Sequence, residues 1–259
     1  MARFPGNLAR ALAAQAARLE KLVCYLEHPR LRELRRRGVG LELYRKLAQP
    51  WLMARGFNTV LDVGANIGRF ALAAAYAYPQ ARLYAFEPLP DCFARLNHTL
   101  AGLPNCHGLN IGLGPAAGVF AFERNQFPAA SSFLKLAETH KREFPQARET
   151  RSVSVNIEVL DAVAKRLAFV PPILLKIDVQ GYEDQVLRGG AQTLGQADTV
   201  LIETSFEPLY QGQPLFADIF RHLTGLGLEY HGSLDQIHSA QDGRALQADS
   251  LFVRPNGPA

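Results

Sequence analysis

The first residues that could bind a ligand lie in a glycine-containing loop that begins just after residue 60. Between residues 59 and 68 an apolar, β-type run gives way to two glycines that are separated by three residues. Glycine lets the backbone turn sharply and lets a small molecule lie close to the main chain. We therefore predict a strand, a tight turn and a helix start that together bind a ligand. The predicted contacts from this loop are Asp62, Gly64, Ala65, Asn66 and Gly68.

A second candidate, Glu87, ends the next apolar run, which covers residues 81–86. It follows Gly64 by 23 positions, close to the offset of about 20 residues at which an acidic side chain binds the hydroxyls of a ribose. We therefore expect Glu87 to bind the ribose of a nucleoside ligand.

The same loop discriminates between nucleoside cofactors. The motif G-x-G-x-x-G, which binds the pyrophosphate of nicotinamide and flavin cofactors, is absent. The carboxylate of Asp62 would repel a pyrophosphate, whereas it suits the ammonium and sulfonium charges of S-adenosylmethionine. We therefore expect S-adenosylmethionine as the cofactor, and a nicotinamide-dependent oxidoreductase is the alternative.

Two later apolar runs also end in a carboxylate. Residues 173–177 are followed by Asp178, and residues 199–202 are followed by Glu203. Because ligands of open α/β sheets bind outside the carboxyl ends of the strands, we expect both side chains at the ligand edge. Asp178 is then the candidate that contacts the cofactor and orients or deprotonates a methyl acceptor. The alternative for Asp178 is an N-cap of the helix predicted at 182–194.

Three segments together resemble the FkbM family of S-adenosylmethionine-dependent methyltransferases. They are residues 62–68, Tyr84–Pro88 and Leu175–Glu183, and the similarity runs from about residue 59 to 253. The resemblance implies an α/β, Rossmann-like class I methyltransferase fold, with a mostly parallel seven-stranded sheet, helices on both faces and an antiparallel C-terminal hairpin. It also implies methyl transfer to a hydroxyl of a sugar, glycan or natural-product acceptor.

The chain departs from the family pattern at two positions. Gln180 stands where the family usually has Glu, and Pro115 stands where relatives commonly have an Asp that binds the adenine amine. We therefore expect Asn110 or backbone groups to bind the adenine instead. The segment Asn125–Ser132 resembles a family segment that lies over the cofactor, so Ser132 is a further expected cofactor contact, with a plain turn-rich loop as the alternative.

A histidine and a metal site complete the candidate chemistry. His231 has an intrinsic pKa suited to a general base, so it joins Asp178 and Glu203 as a catalytic candidate, although a surface histidine is the alternative.

The carboxylates of Asp178 and Glu203 could hold a divalent cation, as in catechol-type methyltransferases. Because the sequence offers them no third acidic partner, we assign no metal ligand.

Two other functions stay open. The departures at Gln180 and Pro115 are compatible with a methyltransferase-like binding module that has no turnover. The arginine cluster within residues 30–37 is compatible with a nucleic-acid methyltransferase, or with a solvated helix face. Against nucleic acid, Pro171 and Pro172 precede the strand 173–177, whereas the amine-binding element of amino-methylating enzymes would follow it.

The elements that position these residues fall into two expected parts, an N-terminal helical extension at 1–55 and an S-adenosylmethionine-binding domain at 56–254. Residues 8–27 have the apolar spacing of an amphipathic helix, which could join two copies as a homodimer; an organellar transit peptide is the alternative. Residues 136–151 read as a surface insertion. Further elements are predicted as follows: helix 41–54, strand 105–113, strand 118–123, strand 153–157, helix 216–226, strand 228–231 and strand 250–253.

Composition limits the class of protein. The 259 residues are 48% hydrophobic and 20% charged, which suits a soluble globular domain, and the net charge of +4 is too small to indicate nucleic-acid binding. The three cysteines are widely spaced without a C-x-x-C pair, so we expect neither disulfides nor zinc, and a reducing, cytoplasmic location. No apolar run reaches the roughly 18 residues of a transmembrane helix.

Overall fold

The computed structural model describes residues 29–147 and 149–255, together with positions 15, 16, 19, 22, 23, 25 and 26. The helix predicted over 8–27 lies largely outside the described residues, and the described positions within it are helical.

The centre of the fold is a seven-stranded sheet in the order β3-β2-β1-β7-β8-β10-β9. Its first five strands are parallel, and β10 pairs antiparallel with both β8 and β9. This confirms the predicted Rossmann-like sheet with an antiparallel C-terminal hairpin. The strands are β1 (Thr59–Val63), β2 (Arg82–Phe86), β3 (Cys106–Leu109), β7 (Ile173–Ile177), β8 (Thr199–Ser205), β9 (Glu229–His238) and β10 (Ala245–Val253).

The central strands are apolar because helices cover both of their faces. In β1, Val60 packs into one hydrophobic core, whereas Leu61 and Val63 pack into the other. Successive side chains of a strand point to opposite faces, so a strand buried on both sides needs a continuous apolar run. Two charged side chains interrupt the apolar runs of adjacent strands, Asp62 in β1 and Lys176 in β7, and they are cross-strand partners.

Helices of the N-terminal half cover the first face, and helices of the C-terminal half cover the second. The first group comprises α1 (Pro29–Arg36), α2 (Leu41–Leu47), α3 (Pro50–Met53), α4 (Arg69–Ala77) and α5 (Pro90–Leu100). The second comprises α7 (Leu160–Leu167), α8 (Glu183–Gly189), α9 (Ala191–Gln196) and α10 (Phe216–Gly225). The helices that precede β1 therefore share one core with the sheet, through buried residues such as Leu34 and Leu47.

Two predicted helices are each divided in the structure. The helix expected at 41–54 breaks before Pro50, because proline has no N–H to continue the hydrogen-bond ladder and disfavours a helical residue before it. The helix expected at 182–194 breaks at Gly190, where an added Cβ would lie 2.7 Å from Leu160 Cδ2. This glycine lets α7 pack closely against the break.

The prediction did not include a second sheet, which has three strands in the order β4-β6-β5. Its strands are β4 (Gly112–Leu113), β5 (Gly118–Asn125) and β6 (Thr150–Glu158), and β5 pairs antiparallel with β6. The single strand predicted at 105–113 was wrong, since its two halves lie in different sheets as β3 and β4. Alternation along a sequence identifies a strand but not its partner.

The segment between β5 and β6 contains the short helix α6 (Glu138–Glu143), with 3₁₀ turns at Pro128–Ala130 and Pro145–Ala147. Leu136, His140 and Ala147 are buried. The expected surface insertion is therefore corrected: one side of the segment packs inward against Tyr210, because its apolar residues recur on that side.

Candidate functional site

A cavity of about 410 Å³ opens at the carboxyl ends of β1, β2, β7 and β8. This size lies within the range of small-molecule sites in proteins. Four of the predicted candidates line its polar part, which also includes Gln180, and aromatic and aliphatic side chains form most of the rest. The polar lining comprises Asn66, Glu87, Ser131, His140, Gln146, Asp178, Gln180, Glu203 and Gln247, and the apolar lining includes Phe86, Leu89, Leu113, Phe122, Phe127, Phe133 and Phe144.

The glycine loop is shaped by close contacts with its neighbours. Gly64 has a φ of +79°, and a Cβ placed on it would lie 1.9 Å from the carbonyl oxygen of Asp178. Gly68 has a φ of +84°, and its Cβ would lie 2.6 Å from Leu96 Cδ1. Gly64 lines the cavity, but Gly68 lies behind it as the residue that caps α4. Of the two predicted contacts, the structure brings only Gly64 to the cavity.

Glu87 is held rigidly at the end of β2. Its Oε2 accepts a hydrogen bond from the N–H of Asn66 at 2.9 Å, and its Oε1 accepts one from the N–H of Leu89 at 2.9 Å. Burial raises the pKa of Glu87 to about 7, although these two backbone donors oppose the rise. Each carboxylate oxygen keeps a free lone pair, so Glu87 can accept further hydrogen bonds from hydroxyls.

Asp62 does not reach the cavity, which corrects its expected contact with a cofactor. It is fully buried within the sheet, its Oδ1 lies 3.1 Å from Lys176 Nζ, and its Oδ2 accepts a hydrogen bond from the N–H of Ala71 at 3.1 Å. The physical reason is the parallel register, which places Asp62 beside Lys176. Asp62 therefore anchors the sheet to the first turn of α4.

Lys176 is a buried cation under the site that the sequence reading overlooked. Its Nζ lies 3.1 Å from Asp62, 3.4 Å from Asp178 Oδ2, and 3.1 Å from the carbonyl of Gly64. Burial alone would lower the pKa of Lys176, but Asp62 and Asp178 raise it above its ordinary value. Lys176 is therefore an ammonium that fixes one oxygen of Asp178 and the glycine loop together.

Gln180 joins the two carboxylates at the ends of β7 and β8. Its Nε2 donates to Asp178 Oδ1 at 2.8 Å and to Glu203 Oε2 at 2.9 Å, and its Oε1 accepts from the hydroxyl of Tyr210 at 2.7 Å. Burial raises the pKa of Glu203, and the nearby charge of Asp178 raises it further. An amide can bridge the carboxylates in this way because it donates two protons and carries no charge.

The loop after β7 settles the alternative role of Asp178. Helix α8 begins at Glu183 with Tyr182 as its N-cap, and no side chain caps it. The carboxylate of Glu183 organises the loop by accepting hydrogen bonds from the N–H groups of Val179 and Gly181, each at 3.1 Å. Asp178 is therefore not a helix cap, and it lines the cavity.

Two predicted cofactor contacts support the cavity wall without lining it. Ser132 is buried, and its Oγ donates to the carbonyl of Gln180 at 2.6 Å. The Nδ2 of Asn110 donates to the carbonyls of Glu87 at 2.9 Å and Pro88 at 3.0 Å. Both side chains thus fix the loops that carry cavity residues.

His231 lies outside the cavity, which corrects its expected role as a general base. It stacks on Trp51, with ring centroids 6.1 Å apart, and its side chain is 43% exposed. The predicted strand 228–231 was too short, since β9 continues to His238. His231 is consequently near the start of a strand, and Ile237 further along β9 lines the cavity instead.

A second cavity, of about 480 Å³, adjoins the first and shares Gly64, Asn66, Asp178 and Glu203 with it. The turn Phe127–Ala129 lines both cavities. The additional polar lining of the second cavity comprises Lys46, Arg69, Arg95, Lys176 and Asp249, and the predicted contact Ala65 also lies there. Carboxylates and cations therefore both face this space.

Two further expectations concern metals and arginines. Among the described residues, no group of three or more His, Cys, Asp or Glu is arranged to hold a metal ion.

In the arginine cluster, Arg37 donates to the carbonyls of Thr99 and Ala101, and Arg32 donates to that of Tyr25. The guanidinium of Arg35 lies 5.6 Å from the ring centroid of Tyr25. These contacts use the cluster to attach α1 to the fold.

No described helix combines the length and the apolar character needed to span a bilayer.

Comparison with known proteins identifies the family. Residues 62–231 match the family model described as the methyltransferase FkbM domain. The chain is 26% identical over 194 residues to the 2-O-methyltransferase NoeI of Sinorhizobium fredii, covering 71% of this chain and 79% of that protein. It is 29% identical over 147 residues to the hexuronic acid methyltransferase AglP of Haloferax volcanii, covering 56% of this chain and 55% of that protein.

A solved structure of similar chain length is that of magnesium protoporphyrin IX methyltransferase from Synechocystis PCC 6803. The alignment has a TM-score of 0.42 and 13% identity, and it covers 79% of this chain and 74% of that chain. The family match extends over well more than half of the chain and includes the glycine loop, Glu87 and Asp178. The resemblance of the three sequence segments is thereby confirmed, and the chain belongs to the FkbM family of S-adenosylmethionine-dependent methyltransferases.

Proposed function

We propose that the protein transfers the methyl group of S-adenosylmethionine to a hydroxyl of a sugar, glycan or natural-product acceptor. The observation that carries the proposal is one cavity that joins a ribose-type carboxylate, Glu87, to a bridged pair of carboxylates, Asp178 and Glu203. Nucleoside binding and acceptor chemistry can therefore take place within a single space.

The residues of the cavity fit the cofactor by their chemistry. Glu87 has lone pairs free for the ribose hydroxyls, and the apolar side chains of Leu89 and Leu113 offer faces for the adenine ring. The backbone of Gly64 and Asn66 lies between Glu87 and Asp178, where the methionine part would pass. Three carboxylates lie at that end among four basic side chains, and they can pair with the positive charges of the cofactor's ammonium and sulfonium groups. They are Asp178, Glu203 and Asp249.

Methyl transfer from a sulfonium is an in-line displacement, so the main task of the protein is to align the acceptor oxygen with the methyl group. Asp178 is the group we assign to accept the proton of the acceptor hydroxyl. Lys176 holds its Oδ2 and Gln180 holds its Oδ1, so the carboxylate has a fixed orientation. Glu203, whose pKa is raised by burial and by Asp178, is suited to retain a proton beside it.

We propose that this reaction needs no divalent metal. The amide nitrogen of Gln180 lies within hydrogen-bond distance of both Asp178 and Glu203. A cation shared by these two carboxylates would have to take the place of that amide. A protein treated with a chelator should therefore keep its activity, and loss that is restored by Mg²⁺ would contradict this part of the proposal.

The acceptor class is supported by the relatives. NoeI is named a 2-O-methyltransferase and AglP a hexuronic acid methyltransferase. A hydroxyl is a poor nucleophile at neutral pH, so a hydroxyl acceptor benefits from a carboxylate that accepts its proton. Nucleic acid is the less favoured partner, because Arg32, Arg35 and Arg37 already contact the protein.

We also propose that the chain divides into a helical extension at 1–55 and a methyltransferase domain at 56–254. We propose further that residues 8–27 join two copies as a homodimer.

Calorimetric titration with S-adenosylhomocysteine tests the cofactor half of the proposal. We expect binding of about micromolar affinity, loss of at least about tenfold in Glu87→Ala, and no binding of NAD. Glu123→Ala, which removes a carboxylate at the edge of β5, is the matched control. Binding of NAD, or unchanged affinity in Glu87→Ala, would reject the assignment.

The same preparation tests the base. With an acceptor found by screening sugars for methylation, Asp178→Asn should bind S-adenosylhomocysteine within a few-fold of the parent and lose about 10²–10⁴-fold in kcat. Full turnover by Asp178→Asn with intact cofactor binding would show that Asp178 is not the base.

A further inference from the structure

The side chain of His140 is a buried imidazole in the cavity wall for which the mechanism above has no use. It lies on the short helix α6, it is only 4% exposed, and it lines the first cavity. Its Nδ1 is buried without a hydrogen-bond partner, and the imidazole makes no hydrogen bond or ion pair to the described residues. Buried polar atoms in proteins are almost always paired, so an unpaired Nδ1 makes histidine a costly choice at this position. The other ring nitrogen, Nε2, is the atom left to bind a ligand in the cavity that His140 lines.

The surroundings of His140 keep the imidazole neutral and oriented. Its ring packs against Phe144 and Tyr210, with centroid distances of 5.0 and 5.3 Å. Burial lowers the pKa of His140. A neutral imidazole has one donor and one acceptor nitrogen, so it can pair with a hydroxyl, which both donates and accepts.

His140 also lies on the acceptor side of the cavity. Tyr210, which packs on its ring, donates a hydrogen bond to Gln180, and Gln180 in turn bridges Asp178 and Glu203. Glu87, which we assign to the ribose, is connected instead to the loop at Asn66 and Leu89. The same cavity thus has a second hydroxyl-binding point on the side of the catalytic carboxylates.

We propose that His140 binds a second hydroxyl of the acceptor, next to the one that is methylated, and that the acceptor is therefore a polyhydroxylated ring of the carbohydrate class. This inference rests on the proposed function. Phe127, Phe133 and Phe144 line the same cavity, and their apolar faces suit the C–H side of a sugar ring while His140 and Asp178 bind its hydroxyls.

A purely structural histidine would behave differently from a ligand-binding one. If the fold depended on His140 as a core side chain, replacement by phenylalanine should lower the unfolding temperature. If His140 instead binds a ligand, its unpaired nitrogen is a defect of the free protein that phenylalanine removes, so the unfolding temperature should be equal or higher, whether or not an acceptor is known. Retention of histidine at a cost to stability is what a binding role requires.

The test compares His140→Phe and His140→Gln with the full-length parent, and His222→Phe on the exposed side of α10 is the matched control. The probes are methyl β-D-glucuronide and methyl β-D-glucoside, added to protein saturated with S-adenosylhomocysteine for binding and with S-adenosylmethionine for turnover. We expect His140→Phe to bind S-adenosylhomocysteine as the parent does and to unfold at an equal or higher temperature. It should bind the probe that the parent enzyme methylates about tenfold or more weakly. The loss should lie mainly in KM, and His140→Gln should recover part of it.

Each other outcome counts against a defined part of the inference. If the parent methylates a probe and His140→Phe does so equally well, the proposed function stands and the role of His140 is rejected. If His140→Phe lowers both the unfolding temperature and the cofactor affinity, the side chain is structural, and the inference is rejected without any acceptor. If the parent binds the cofactor but neither probe, and methylates a hydroxyl outside the carbohydrate class, the carbohydrate acceptor is rejected and O-methylation remains.

Discussion

At the scale of single residues, the amide of Gln180 sets the charge of the site. It joins Asp178 and Glu203 through one nitrogen and accepts a hydrogen bond from Tyr210 through its oxygen. A carboxylate in its place would add a negative charge beside Asp178 and Glu203, and when ionised it would have no proton to donate to them. We infer that the departure from the usual family Glu at this position preserves a general base, Asp178, beside a proton donor, Glu203.

We predict that Gln180→Glu shifts the acidic limb of the pH–rate profile toward higher pH by about one unit. The sign follows from repulsion: an added carboxylate disfavours further negative charge in the site, so a higher pH is needed to reach the active form. The profile of kcat against pH measures this shift. Gln192→Glu, on the exposed side of α9, is the control that adds the same charge elsewhere, and an unshifted limb in Gln180→Glu would refute the argument.

Buried carboxyls also determine how stability depends on pH. Burial raises the pKa of Glu87 to about 7, of Glu183 to about 7, and of Asp249 to about 6. Between pH 4.5 and 7 the unfolded chain loses these protons while the folded protein keeps them. The folded protein is therefore favoured at low pH, and this contribution is lost as the pH rises toward 7.

We therefore predict that the free energy of unfolding of the free protein falls by about 6 kcal/mol between pH 5 and pH 7.5. Glu87→Gln should flatten this dependence, because it removes one of the buried carboxyls whose pKa is raised. Denaturant unfolding at several pH values measures both curves. A free energy of unfolding that rises over this range in parallel for both proteins would contradict the assignment of raised pKa values.

At the scale of elements, the site depends on how closely the loops after β1 and β7 approach each other. The Cα of Gly64 lies so near the carbonyl of Asp178 that no side chain fits between them. Lys176 then ties the same two loops from below, through its contacts with the Gly64 carbonyl and Asp178. The glycine, the lysine and the aspartate thus act together to set the distance between the cofactor loop and the base.

We predict that Gly64→Ala lowers the free energy of unfolding by about 2–4 kcal/mol and weakens binding of S-adenosylhomocysteine at least about tenfold. The added methyl group would overlap a backbone oxygen, and the left-handed φ disfavours any side chain. Gly195→Ala is the matched control, since it adds a methyl group to α9 with nothing within 4 Å. Denaturant unfolding and calorimetry measure the two effects, and equal behaviour of both variants would disprove the overlap.

At the scale of the whole molecule, the helices before β1 belong to the same packed body as the sheet. Leu34 on α1 and Leu47 on α2 are buried in the core that also contains Leu72 of α4 and Leu83 of β2. The second cavity is closed on one side by this group, since Leu43, Lys46 and Leu47 line it. The N-terminal helices therefore contribute both to stability and to the boundary of the ligand-binding region.

We predict that Leu34→Ala lowers the free energy of unfolding by about 2–4 kcal/mol in a single cooperative transition. The cost follows from a cavity in a shared core, because Leu34 is only 1% exposed. Leu22→Ala, at a position that is 54% exposed, should change stability by less than about 0.5 kcal/mol. Two separate transitions in the parent, with Leu34→Ala affecting only one, would show that the extension folds independently.

The sequence alone was sufficient for the parts of the protein that depend on local pattern. The apolar runs that end in Glu87, Asp178 and Glu203 indicated parallel strands, and the topology of such sheets brings their carboxyl ends to one edge, where the structure places all three side chains. The spacing of Gly64 and Glu87 pointed to a nucleoside site for the same reason. The placement of these three side chains was predicted correctly because it uses short-range periodicity and one general rule of sheet construction, whereas ribose binding by Glu87 stays a prediction.

The tertiary structure decided which side chains face the cavity and which lie behind it. Asp62 was expected in the site, but its cross-strand neighbour Lys176 holds it inside the sheet. His231 lies outside the cavity because β9 continues to His238, and Ile237 near the end of that strand lines the cavity instead. His140 reaches the cavity only because a separate three-stranded sheet carries its helix there. Register, sheet membership and loop packing depend on residues far apart in the sequence, so they cannot be obtained from local pattern alone.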